Sequence, residues 1–222
     1  MAATAAPETA RADTGFAGRA TAEAAVHAER IGTTHRYPAH PIEHLTLEDG
    51  RRVTLRPVLP RDDVLTQAFV RHLSPQSRYN RFFVGLAELT PRMLAYLTDV
   101  DHVHHLALIA QTVIFGREVQ VGEARYVVDE SGQWAEFAIA VADDWQTAGI
   151  GSRLLRLLEE AARAAGIARF TGEVLGSNRR AQDFMRQRGY VLRSNPGEAL
   201  LMRADKALSP WRGPARQARR SA

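Results

Sequence analysis

AEFAIAVADDWQTAGIGSRLL, residues 135–155, changes period twice within one short stretch. Alternation of apolar and polar residues gives way to a Gly-x-Gly turn. A helical spacing follows at once, with Leu154, Leu155, Leu157, Leu158, Ala161 and Ala162 on one side and Gly166 closing it. Strand, glycine turn and helix in that order place unpartnered helix N–H groups and the positive end of a dipole at the turn, which suits a phosphate. Two nucleotide folds are excluded by spacing. No lysine follows either glycine as a Walker A loop requires, and Leu154 stands where the dinucleotide fingerprint needs its third glycine.

Upstream, Trp134–Val141 reads as a strand whose residues divide by parity. Phe137, Ile139 and Val141 form a core face. Trp134, Glu136, Ala138 and Ala140 form the other, one carboxylate beside two methyl-sized side chains. Two readings fit: a trough in which a ligand lies beside a base, or an exposed sheet edge with Glu136 solvated.

Further out, Arg52–Val58, His105–Gln111, Val119–Asp129 and Arg169–Leu175 read as strands, with Tyr190–Leu192 and Ala199–Met202 as a closing pair. Helices are expected over Arg61–Leu73 (apolar at Val64, Leu65, Ala68, Phe69 and Leu73), Ser77–Phe83, from Thr90-Pro91 onward, Ile150–Ala165 and Asn178–Arg188. This order implies one mixed sheet flanked by helices. The domain is expected over 42–203. Residues 1–41 form a disordered or loosely docked arm, rich in Ala, Thr, Gly and Pro, and 204–222 a basic disordered tail.

The chain has 222 residues, 45% hydrophobic and 24% charged, enough for one buried core. It has no cysteine, which removes disulfides, thiolate metal sites and a cysteine nucleophile, and fits a reducing, cytoplasmic setting. No secretory signal is expected from residues 1–41, and no apolar run reaches membrane length. Residues 204–222 carry five Lys or Arg and one Asp, a net +4 that equals the charge of the whole chain. The basicity belongs to the tail, so a nucleic-acid partner is not expected of the folded part.

Glu136 on its strand, Gln-x-x-Gly-x-Gly at 146–151 and "SNRRAQDFMRQRGY" at 177–190 together resemble the GNAT superfamily of N-acyltransferases. The resemblance implies a GNAT fold, an α/β architecture with a mixed, mostly antiparallel twisted sheet. It also implies acetyl-CoA as co-substrate and no metal. The loop Gln146, Thr147, Ala148, Gly149, Ile150, Gly151 and Ser152 would hold the pyrophosphate. Asn178, Ala181, Phe184, Gly189 and Tyr190 occupy the motif that lies against the pantetheine, and Ala140 and Val141 would border the thioester. Thr147 and Ala148 replace a common Gly and a basic residue; Thr147 is expected to cost little, while Ala148 forgoes a phosphate contact that Arg153, Arg179 or Arg180 would replace. Met185 stands where many members carry a proton-donating tyrosine, so the thiolate must leave through water or as an anion.

"RPVLPRDD", "LSPQSRYNRFF", "ELTP" and "TDVDHVHHLALIA" are similar to one branch, the bacterial protein lysine acetyltransferases that act on acyl-CoA synthetases. That branch implies Glu136 as general base and a protein lysine as acceptor, with an acyl-CoA synthetase as candidate partner. It often carries a further regulatory domain, for which 222 residues leave no room, so such control is expected to be absent or supplied in trans. A lysine amine of pKa about 10.4 must lose a proton before it attacks. A backbone N–H near Ala140 or Val141 would meet the charge developing on the carbonyl oxygen. Without cysteine, direct ternary-complex transfer is favoured over a covalent enzyme intermediate.

Glu123 is the fallback base. Arg78, Tyr79 and Arg81 either line the acceptor groove or pack a helix surface. His102 and His104 would share a strand face, yet nothing nearby completes a metal site. Two further functions remain open: acetylation of a small amine such as a polyamine, amino sugar or drug, and a non-catalytic acyl-CoA-binding module.

Overall fold

The structure, a computed structural model, describes residues 42–195 and 197–208. The N-terminal arm, Trp211 and the end of the basic tail lie outside them. Eight strands form one sheet in the order β1-β2-β3-β4-β5-β6-β8-β7. They are β1 Glu43–Thr46, β2 Arg52–Pro57, β3 His105–Ile114, β4 Arg117–Val128, β5 Trp134–Val141, β6 Arg169–Leu175, β7 Val191–Ser194 and β8 Leu201–Ala207. Helices are α1 Asp63–His72, α2 Pro75–Phe82, α3 Pro91–Thr98, α4 Ile150–Ala164 and α5 Arg179–Gln187. Every pairing is antiparallel except β5 with β6, whose crossover is α4.

The two faces of the sheet carry separate cores. Leu154, Leu155 and Leu158 of α4 pack with Phe137, Phe170 and Tyr190 in the larger one. Phe69, Val70, Leu73 and Phe82 of α1 and α2 build the other against Leu89 and Leu97, with Ala140 of β5 beneath them. The parity read for β5 therefore places Phe137, Ile139 and Val141 on the α4 face.

Several boundaries differ from expectation. β1 carries only half-buried and exposed residues, so no apolar alternation announced it. α1 buries Thr66, Phe69 and Val70, while Val64 and Ala68 face outward. β8 runs to Ala207 rather than ending at Met202: Ala204 and Leu208 are buried and Lys206 is ion-paired to Glu159, so the domain extends past 203. The histidines do not share a strand face. Asp101 opens a turn whose carboxylate accepts from the N–H groups of Val103, His104 and His105, and His102 has φ 58.

β5 and β6 are in register only from Trp134↔Arg169 to Glu136↔Thr171, and beyond that point they part. The Phe137 ring fills the wedge on the α4 face, stacked on Phe170 at 5.5 Å and tilted against Tyr190 at 5.1 Å. Gly172 makes room for it, since a Cβ there would lie 2.8 Å from that ring and 3.1 Å from the Phe137 carbonyl oxygen. Gly172→Ala is expected to cost about 1–3 kcal/mol, measured as a lower urea midpoint at unchanged m-value; an unchanged midpoint would mean that the ring is not locked.

Candidate active site

The parting of β5 from β6 opens backbone groups. Ala142 donates its N–H to Val121 at 2.9 Å, and Asp129 donates to the Trp134 carbonyl at 2.9 Å, so the even positions of β5 turn their polar groups to β4. By alternation the odd positions turn theirs to β6. The Gln133 carbonyl shows this by accepting from Ala168 at 2.7 Å. Ile139 and Val141 consequently aim ladder groups into the gap, where β6 no longer pairs with them. Gln146 Nε2 occupies the Val141 carbonyl at 3.0 Å, which leaves the Val141 N–H facing the opening. Of the two expected N–H positions, Ala140 is thereby corrected: its amide belongs to the β4 ladder.

The gap is part of a groove of about 970 Å³ that passes between the faces of the sheet. Its walls include Ala138, Ile139, Ala140 and Val141 of β5, Gly149, Gly151 and Ser152 at the start of α4, Glu173 of β6, and Asn178 and Phe184 of α5. The glycine turn read from the sequence does open a helix. Gly149 is the left-handed N-cap of α4 with φ 83, and the N–H groups of Ile150, Gly151 and Ser152 begin the helix. A Cβ on Gly151 would sit 3.5 Å from Val141, 3.7 Å from Ile139 and 3.8 Å from Phe184, ordinary contacts that fill the groove without straining the fold.

Other predicted positions act through structure. The Ile150 side chain is core and only its amide reaches the loop; Ala148 packs against the same core. Asn178 caps α5 by accepting from the Ala181 N–H at 3.1 Å. Thr147 lines the groove at φ 69, a left-handed conformation that a β-branched residue adopts only under strain. Its substitution for glycine is therefore not free. Tyr190 is buried, its hydroxyl donating to Glu159 at 3.0 Å, so it braces α4 instead of touching the groove. Burial, followed by the Glu159 charge, pushes its phenol well above the ordinary range. Of the basic side chains expected to replace a loop contact, Arg180 lines the groove, whereas Arg153 is paired with Glu43 at 2.9 Å. Arg188, unread in the sequence, also lines it, hydrogen-bonded to Ser152 and set over the Phe184 ring.

The "LSPQSRYNRFF" block builds the wall opposite. Ser74 caps α2, and the Asp143 carboxylate accepts from its N–H at 2.9 Å, its hydroxyl at 3.0 Å and the Ser77 hydroxyl at 2.7 Å. Burial raises the Asp143 pKa less than these donors lower it, and the net shift is downward. At the other end, Arg81 crosses the small side chains of β5 to Glu123 on β4, Nε to Oε1 at 2.8 Å. Arg78 folds back onto the carbonyls of Arg71 and Leu73, and Tyr79 is exposed, so of the three only Arg81 borders the groove.

Glu123 cannot serve as a base. It is 2% exposed and held by Arg81 and by Arg125, whose Nη2 donates at 2.7 Å. Desolvation raises its pKa, but the two guanidinium charges overcome it and bring the value to about 2. Arg125 also donates to His105 Nε2 at 3.2 Å; arginine has no acceptor, so that nitrogen is unprotonated and Nδ1 carries the ring proton.

Glu136 stands at the closed end of the gap, half-buried, paired with Val127 on one side and Thr171 on the other. It shares a face with Ala138 and Ala140, although it is not itself among the residues lining the groove.

The sequence profile of the acetyltransferase (GNAT) family matches residues 69–190. The chain belongs to the GNAT acetyltransferase family. An acetyltransferase of Pseudomonas aeruginosa is 32% identical over 155 residues, 69% of this chain and 83% of that protein. The acetyltransferase Pat of Mycolicibacterium smegmatis is 33% identical over 143 residues, covering 64% of this chain but only 42% of Pat. Among solved structures, the GNAT domain of S. lividans PAT is 29% identical with a TM-score of 0.70, over 78% of this chain and 100% of that one. The parted strands and the Gln-x-x-Gly-x-Gly loop thus belong to a GNAT enzyme. Among the described residues of this GNAT chain, no helix is long and apolar enough to cross a membrane.

Proposed function

We propose that this GNAT enzyme transfers an acetyl group from acetyl-CoA to a protein lysine, with Glu136 as general base. The observation that carries the reading is the gap between β5 and β6, with a carboxylate at its closed end and a helix N-terminus at its open end. Resemblance to Pat proteins favours a protein acceptor, and the sequence blocks shared with that branch make an acyl-CoA synthetase the partner to try first.

The residues present suit acetyl-CoA as co-substrate. The amides of Ile150, Gly151 and Ser152 with Arg180 and Arg188 suit its phosphates. The open ladder groups of Ile139 suit an amide-bearing arm. The bound thioester supplies the acetyl group and a leaving thiolate. Glu136 takes the ammonium proton directly or through one water, and the buried Thr171 Oγ1, without a hydrogen-bond partner among the described residues, lies in the adjacent register position where a water would satisfy it. The Val141 N–H, turned to the gap, would meet the charge developing on the carbonyl oxygen. Met185 is 3% exposed and holds no proton to give, so the thiolate, with a pKa near that of an ordinary thiol at about 8.5, departs through water or as an anion. The neutral amine attacks directly within the ternary complex, consistent with a chain that has no cysteine to carry the acetyl group.

The deciding experiment is peptide mass spectrometry of a purified acyl-CoA synthetase incubated with acetyl-CoA and this enzyme. Acetylation of a synthetase lysine is the expected result; no mass shift alongside intact acetyl-CoA binding would exclude that acceptor and turn attention to small amines. Gly151→Ala tests the co-substrate site separately. A methyl in the groove should raise the Kd for acetyl-CoA by at least about tenfold, equivalent to about 1.4 kcal/mol, with the melting temperature of the free protein unchanged. Equal affinity would place the pyrophosphate elsewhere.

A further inference from the structure

The ion pair of Arg81 with Glu123 uses only part of the guanidinium. Nε donates to Glu123 Oε1 at 2.8 Å, and the Phe82 ring lies 4.8 Å from Cζ. The side chain is 5% exposed, yet among the described residues neither Nη has a hydrogen-bond partner and neither is sealed from solvent. Arg81 lines the groove, so its remaining N–H donors open there. Arg125 holds the other oxygen of Glu123 at 2.7 Å, and two guanidinium groups thus share one carboxylate. The buried cluster carries more positive than negative charge, which is costly unless a further anion reaches it.

Position decides which anion. α2 lies on β5, and Glu123 stands directly across from Ala140, as Arg125 does from Ala138. On β5 the side chains between the gap and the Arg81–Glu123 pair are therefore methyl groups. The separation is about one strand spacing, ~4.8 Å. An acetyl group is too short to cross it, whereas a four-carbon dicarboxylic acyl chain covers ~5 Å from thioester carbon to carboxylate oxygen. Arg180 and Arg188 also line the groove, but on the α4–α5 side, where Arg188 meets Ser152 and the Phe184 ring. Asp143 is held by serine donors at the first turn of α2, whereas Arg81 is in its last.

We propose that Arg81 forms a carboxylate site at the acyl end of the groove, which fits the enzyme for short dicarboxylic acyl-CoA donors. This rests on the reading that the thioester lies in the gap between β5 and β6. The terminal carboxylate pairs with the Nη groups of Arg81 while the thioester carbonyl meets the Val141 N–H. Transfer follows the same course as for acetyl. The bond from the lysine nitrogen to the carbonyl carbon forms, the carbon–sulfur bond breaks, CoA leaves as the thiolate, and the ammonium proton passes to Glu136. The product keeps a free carboxylate, so the modified lysine exchanges a positive charge for a negative one.

The test is calorimetric binding of succinyl-CoA and of butyryl-CoA, which has the same chain length and no carboxylate, with acetyl-CoA alongside. Wild type should bind succinyl-CoA roughly 10- to 100-fold more tightly than butyryl-CoA. Arg81→Gln should bring the two within about threefold, and Arg81→Lys should keep part of the preference because it restores a charge without the fork. Arg188→Gln should weaken both donors alike, since they share their phosphates. Equal affinity of wild type for the two donors would overturn the proposal, and that comparison holds even if Arg81→Gln fails to fold. A preference that survives in Arg81→Gln, or vanishes in Arg188→Gln, would place the carboxylate elsewhere and overturn it too. Acetylation of an acceptor lysine without succinylation of the same lysine would overturn the donor assignment. Failure of acetyl-CoA itself to bind would instead sink the co-substrate reading, and the proposal with it.

Discussion

Glu136→Gln should lower kcat at pH 7 by about 10²- to 10⁴-fold, with acetyl-CoA affinity and melting temperature retained. The size follows from proton supply. With a pKa of about 10.4, roughly one lysine in 2,500 is neutral at pH 7, so an enzyme without a base depends on that minor population. The neutral fraction grows about tenfold per pH unit, so the defect should shrink steadily as pH rises toward 10. That recovery distinguishes a lost base from a disturbed strand, whose defect would be similar at every pH. A loss of less than about fivefold at pH 7 would assign proton removal to another group. Glu123 would not be that group, because it is held ionised between Arg81 and Arg125.

The second large effect is on stability. Glu123→Gln keeps the side chain's shape but leaves two buried guanidinium groups without their shared counter-charge, and it should destabilise the fold by about 3–5 kcal/mol. At roughly 2–4 °C per kcal/mol for a chain of this size, the melting temperature should fall by about 6–20 °C. The wild-type protein should show the same dependence in acid. A carboxyl lowered from 4.5 to about 2 in the fold contributes stability that is complete above pH 4.5 and is lost as pH falls toward 2. Unfolding followed across that window should steepen for wild type relative to the variant. A cost below about 1 kcal/mol would show that the two arginines find other partners.

The fold was legible wherever one face of an element is buried and the other is not. β5 and α4 carry that contrast, and residues 135–155 disclosed both. β1, with no buried residue, gave no such signal, and the lysine and aspartate of β8 looked like tail because their burial depends on Glu159 and on the neighbouring strand. Side-chain chemistry at the site was partly legible. Thr147 looked harmless because composition does not reveal a φ of 69. Glu123 looked like a spare base because its arginines come from α2 and from two positions along its own strand. Glu173 escaped because its place on the groove exists only once β6 is laid beside β5.

The open edge of β5 bears on how such enzymes are searched and engineered. Ile139 and Val141 meet the gap through peptide groups that every residue but proline possesses. A substitution scan reads side chains, so it would record these positions as tolerant to many apolar exchanges and pass over them. Proline at Val141, which removes the amide itself, would expose what alanine hides. A contact made through these groups would not depend on which side chain either position carries.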